Sequence, residues 1–96
     1  MSLITVYQPA GFHKPAQPAN RAQRVALPAA ATLTLIDNGK VHARLLLQLI
    51  ADRLRTRLPI DHVEVFTKAS AGLPIGAEEA RRVAARSHLI VTGVGD

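Results

Sequence analysis

From residue 31 onward, short β-branched or aliphatic runs alternate with longer stretches in which apolar residues recur every three or four positions. The first run, TLTLI at residues 32–36, has the length and composition of a strand. It stops at DNGK, where Asp37, Asn38 and Gly39 signal a turn. A helix is predicted over about residues 40–57. Ala43, Leu46, Leu47, Ile50 and Leu54 fall on one side of it, and Arg44, Gln48, Asp52 and Arg55 on the other. Pro59 prevents its continuation. HVEVFT (62–67) alternates as a second strand, and KASAGLPIG (68–76) is a loop by its Gly and Pro content. AEEARRVAARS predicts a second helix, with Glu78 and Glu79 in its first turn and Arg86 in its last, the placement that suits the helix dipole. HLIVT (88–92) closes the series as a third strand.

The order β-α-β-α-β with short connections predicts an α/β fold: a parallel, three-layer half-domain, Rossmann-like or flavodoxin-like. Residues 1–30 stand apart from it. LITVY (3–7) has strand-forming residues, but the following segment holds four of the six prolines and reads as an irregular arm. The expected organisation is therefore an arm over 1–30, with a short strand at 3–7, and an α/β domain over 31–96.

With 96 residues the chain has room for one small domain, and with few aromatics its core must come from Leu, Ile, Val and Ala. It contains no cysteine, which excludes disulfides, thiolate metal sites and thiol catalysis by its own residues. No apolar run approaches the roughly 18 residues a membrane span needs, and the N-terminus does not read as a secretory signal. The expected compartment is the cytoplasm. The net charge of +5 rests on arginines that lie mainly on the polar sides of the two helices, without interleaved aromatics for base stacking. Solvated helix faces, rather than nucleic-acid binding, are the expected reading. His13, His42, His62 and His88 are scattered without metal-ligand spacing, so no metal site is assigned.

In a parallel sheet the three β-to-α turns emerge at one edge, here residues 37–40, 68–76 and 93–96. A flavodoxin-like order sets the first and third turns side by side, whereas a Rossmann order puts the second strand between them. The first turn has the means to bind an anion: backbone N–H groups at a helix start, Gly39 to admit the ligand, and Lys40 as a point charge. Asp37 is the candidate acid, base or orienting group. The same residues also fit a purely local role, with Asp37 or Asn38 capping the helix and Gly39 at positive φ. Lys68 is a strand-end lysine that either faces this crevice or is solvated. TGVGD (92–96) has two glycines but not the third that a dinucleotide fingerprint requires. Candidate ligand contacts are thus Asn38, Gly39, Lys68, Thr92, Gly93 and Gly95, with supporting catalytic roles for Asp37, Lys40 and Asp96.

LIDNGK (35–40), SAGLP (70–74) and above all VTGVGD (91–96) together resemble the UGSC-motif family, whose members run on from TGVGD into selenocysteine or cysteine followed by Gly-Ser-Cys. Where those members commonly continue with Pro-Asn after the first-motif lysine, this chain has Val41 and His42. The resemblance implies an oxidoreductase-type selenoprotein or thiol protein acting on a small molecule, with no cofactor assigned. It also implies that this chain is the N-terminal part of a longer domain, lacking its nucleophile and inactive in that chemistry. A domain so divided is expected to leave a sheet edge open to self-association. The alternative expectation is a small binding module for a phosphate or carboxylate ligand at DNGK.

Overall fold

A computed structural model describes residues 3–6, 21 and 23–95. Three strands and two helices follow the expected order: β1 (Ala31–Asp37), α1 (Ala43–Arg55), β2 (Ile60–Thr67), α2 (Ala77–Arg86) and β3 (Leu89–Gly93). The strands form one parallel sheet in the order β2-β1-β3, the flavodoxin-type arrangement, with β1 in the centre. Register brings the strand ends level, since Asp37 pairs with Thr67 on one side and Gly93 on the other. All three C-terminal turns therefore leave the sheet along one rim.

Alternation along the strands divides the side chains between two faces. Leu33 and Leu35 of β1, joined by Val63, Val65, Leu89 and Val91, meet Leu47, Ala51 and Leu54 of α1 to form the core. The intervening positions face α2. There Val83 is the buried side chain of the helix, Thr34 Oγ1 hydrogen-bonds Ser87 Oγ, and Arg86 pairs with Glu64. The two helices thus lie on opposite faces, giving three layers.

Two expectations about α1 are corrected. The helix begins at Ala43 rather than near Lys40, because Val41 and His42 form a turn and His42 sits in the left-handed region at φ 65°. A residue in that conformation cannot continue a right-handed helix, and periodicity does not reveal it. The buried face is also rotated from the expected one. Leu46 is 45% exposed while Ala51, which was not assigned to the core, is 3% exposed. A methyl group lets the helix approach the sheet more closely than a leucine would. Toward the N-terminus, residues 3–6 carry no regular secondary structure; the remainder of the expected strand, Tyr7, lies outside the described residues.

Candidate functional site

The rim of the sheet is organised by two adjacent side chains at the end of the central strand. Asp37 is 5% exposed. Its Oδ1 accepts from the Gly39 amide at 2.8 Å, and its Oδ2 accepts from Thr67 Oγ1 at 3.4 Å. Its carbonyl accepts from the Lys68 amide at 2.8 Å. Asp37 therefore fastens the end of β1 to the end of β2. Asn38 does the same on the opposite side. Its amide donates to the Gly93 carbonyl at 3.1 Å, and its Nδ2 donates to the Val94 carbonyl at 2.6 Å. Its Oδ1 accepts from the Lys40 amide at 3.2 Å. One central-strand dipeptide thus ties the first turn to both neighbouring turns. Gly39, at φ +82°, supplies the backbone conformation that lets these two Asx-type bonds form in succession.

This arrangement changes how the first turn can meet a ligand. The Gly39 and Lys40 amides, expected to face an anion, are held by Asp37 and Asn38 instead. The helix N-terminus lies three residues further on. Asp37 and Asn38 therefore close the turn locally but do not cap α1, whose N-cap is His42 without a side-chain cap bond, and what the turn contributes to the cleft lining is Asn38 and the Lys40 side chain.

That side chain lines an open cleft of about 310 Å³, together with Asn38, Lys68, Ala71, Thr92, Gly93, Val94 and Gly95. Six of these eight come from the expected site: Asn38, Lys40, Lys68, Thr92, Gly93 and Gly95. Lys68 faces the cleft while its Nζ donates to the Leu73 carbonyl of its own loop at 2.7 Å, which sets the ammonium at the mouth. An ammonium has three donors, so this bond leaves two for a ligand. Gly93 sits over α1, where an added β-carbon would lie 3.4 Å from Leu47 Cδ2, at ordinary van der Waals contact. Ala71 and Val94 escaped sequence reasoning because they offer no polar side chain. Among the expected residues, Gly39 and Asp37 do not line the cleft; Asp37 is the fastening beneath it. Asp96 lies outside the described residues.

Other cavities are as large or larger, about 410 Å³ against the β2–α2 loop, about 320 Å³ between α1 and β2 and about 310 Å³ beneath α2. The rim cleft is favoured over them because three loops, distant in sequence, converge there at the carboxyl ends of parallel strands. The histidines contribute elsewhere. His62 Nε2 bonds Glu64 at 3.2 Å, His88 Nδ1 accepts from the Thr32 amide at 3.0 Å, and His42 is exposed at the start of α1; His13 lies outside the described residues. Among the described residues no cluster of His, Asp and Glu could hold a metal ion.

The two motifs that meet across this cleft, LIDNGK and VTGVGD, are those that carry the family resemblance. The UGSC family matches over residues 5–96. The chain belongs to the UGSC family. No curated protein and no solved structure matches it. Membership covers nearly the whole chain, so the rim cleft is the candidate site of a UGSC domain. Among the described residues, no helix is long and apolar enough to cross a membrane.

Proposed function

We propose that this chain is the substrate-binding, N-terminal part of a UGSC-type oxidoreductase whose selenocysteine or cysteine follows Asp96. The observation that carries this reading is the convergence of Lys40, Lys68 and the end of β3 on one cleft, with Asn38 holding Val94 in place. A reactive residue two positions beyond Gly95 would enter beside two ammonium groups. Positive charge lowers the pKa of a thiol or selenol and so favours the anionic nucleophile. The same charges would hold a phosphate or carboxylate on a small-molecule substrate. Lys40 stabilises the anion, Asp37 and Asn38 act as orienting residues, and Asp96 is the proton-exchanging group. Thr92, Gly93 and Gly95 provide a close-approach wall for the substrate.

The codon after Asp96 in the gene tests this directly. A UGA or cysteine codon followed in frame by Gly-Ser-Cys supports the reading, and an ordinary stop with no open frame beyond it refutes it. At the protein level, the chain extended by Cys-Gly-Ser-Cys should carry a first thiol whose pKa lies below the ordinary value near 8.5. Lys40→Ala should move that pKa upward, as followed by the pH dependence of alkylation. Equal pKa values in the two proteins would remove Lys40 from the mechanism.

The second reading is a binding module for an anionic ligand, favoured by the two lysines at the cleft mouth. Titration of the unextended chain with inorganic phosphate, followed by amide shifts of residues 92–95, separates the two. Binding in the absence of any open frame beyond Asp96 would favour the module.

A further inference from the structure

Lys68 lines two cavities. One is the rim cleft, which it shares with Asn38, Lys40 and the end of β3. The other, about 410 Å³, lies under the β2–α2 loop, between the end of β2 and the start of α2. Lys68 Nζ donates to the carbonyl of Leu73, a residue of the second cavity's wall. The ammonium therefore stands where the two cavities meet, with two of its three donors left for a ligand.

The second cavity differs from the first in its walls, which include Phe66, Leu73, Pro74 and Ile75. Strand alternation accounts for Phe66: Val63 and Val65 pack on the α1 core, so Phe66 falls on the α2 face of the sheet. Within α2, Val83 is the buried residue, and Glu79 is the one member of the helix that lines this cavity. A concave space with apolar walls and a charged group at its entrance has the make-up of a small-molecule pocket. Glu79 marks the far end from Lys68, because it and Phe66 also line the cavity beneath α2. Its carboxylate lies against Gly76 at the helix start, where a third-position glutamate folds back on the N-cap. The cavity thus runs from a positive entrance along apolar walls to a negative end.

We propose that this cavity holds the apolar tail of the substrate while Lys68 binds its head, so that the ligand class is a small organic acid with one negative charge and an aliphatic tail. The proposal rests on the rim cleft being an anion site and adds the part of the substrate that lies outside that cleft. Glu79 selects against a second anionic group at the tail's far end, since like charges brought together in a pocket repel. The cavity lies at β2, with β1 between it and β3, away from the strand beyond which the proposed reading continues the chain.

Titration of the full chain with acetate, butanoate and hexanoate, followed by amide shifts of residues 68–76 and 92–95, provides the test. Affinity should rise about fourfold for each methylene buried, with shifts spreading through residues 69–76 as the tail lengthens. Adipate, which adds a second carboxylate to the same chain, should bind at least about tenfold more weakly than hexanoate. Lys68→Met should abolish hexanoate binding, and Ile75→Ser should flatten the gain with chain length while leaving acetate binding unchanged. A thermal melt of each variant monitors its fold, and the series on the unsubstituted chain is decisive without them. Acetate and inorganic phosphate that shift residues 92–95, with no gain from acetate to hexanoate, would overturn this proposal and leave the anion reading of the cleft standing. No response to phosphate or to any of the acids would defeat both. Adipate binding as tightly as hexanoate would overturn the assignment, as would hexanoate binding that survives Lys68→Met. If hexanoate binds only after residues 1–20 are removed, the occupant is the chain's own N-terminal segment and the proposal fails.

Discussion

The two faces of the sheet are covered by helices of similar amphipathic pattern, yet they are held by different forces. Beneath α1, Leu33, Leu35, Leu47, Ala51 and Ile60 form a buried aliphatic cluster. Beneath α2 only Val83 of the helix is buried, and the contacts around it are a hydroxyl pair and a charge pair. The difference follows from composition. α1 supplies leucines at helical spacing, while α2 supplies alanines, whose methyl groups bury little area each. The α1 face is where hydrophobic burial stabilises the domain, and the α2 face is where polar pairing orients it.

This contrast can be broken by substitution. The largest effect is expected at Leu47→Ala, which removes a fully buried side chain and should cost about 2–5 kcal/mol by denaturant unfolding. For a domain of this size that loss is comparable to its whole stability. Val83→Ala on the other face should cost only about 1–2 kcal/mol, because the site is shallower and fewer methyl groups are lost. If the two variants proved equally costly, the faces would be equivalent and the distinction would fall. The smallest effect is expected at Arg86→Ala, under about 1 kcal/mol, since Arg86 is mostly exposed and its pair with Glu64 is screened by solvent. That small loss should shrink further in high salt, whereas the Leu47→Ala loss should not. A salt-insensitive Arg86→Ala effect would instead point to packing by the arginine stem.

The rim shows a second contrast, between what a motif suggests and what its atoms do. Asp37 and Asn38 stood out from the sequence as chemical groups at a strand end. In the fold they are bound on both sides, and their hydrogen bonds go to neighbouring turns. Among the described residues of the expected site, Lys40 and Lys68 are the charged side chains that line the cleft. Composition alone could not separate these roles, because an aspartate that fastens two strands and one that moves a proton look identical in a sequence.

Much of the fold was legible because each element carries its own period. The three strands and two helices appear within a few residues of their expected bounds, and the motifs at residues 35–40 and 91–96 carried the family. Leu46 and Ala51 mark where that legibility stopped. Both positions fit an apolar face, and only the distance between α1 and the sheet decided which of them was buried. The start of α1 was hidden for a similar reason, since nothing in Val41 and His42 announces a left-handed residue.

Local pattern by itself determined the elements, their order and their parallel character. It left the strand order open, because Rossmann-type and flavodoxin-type sheets use the same β-α-β-α-β text. Tertiary packing decided that β3 lies beside β1, with α1 and α2 on opposite faces. That choice depends on how whole helices cover the sheet and not on any local run of residues. By setting Asn38 within 2.6 Å of Val94, it turned two motifs separated by more than half the chain into the walls of one cleft.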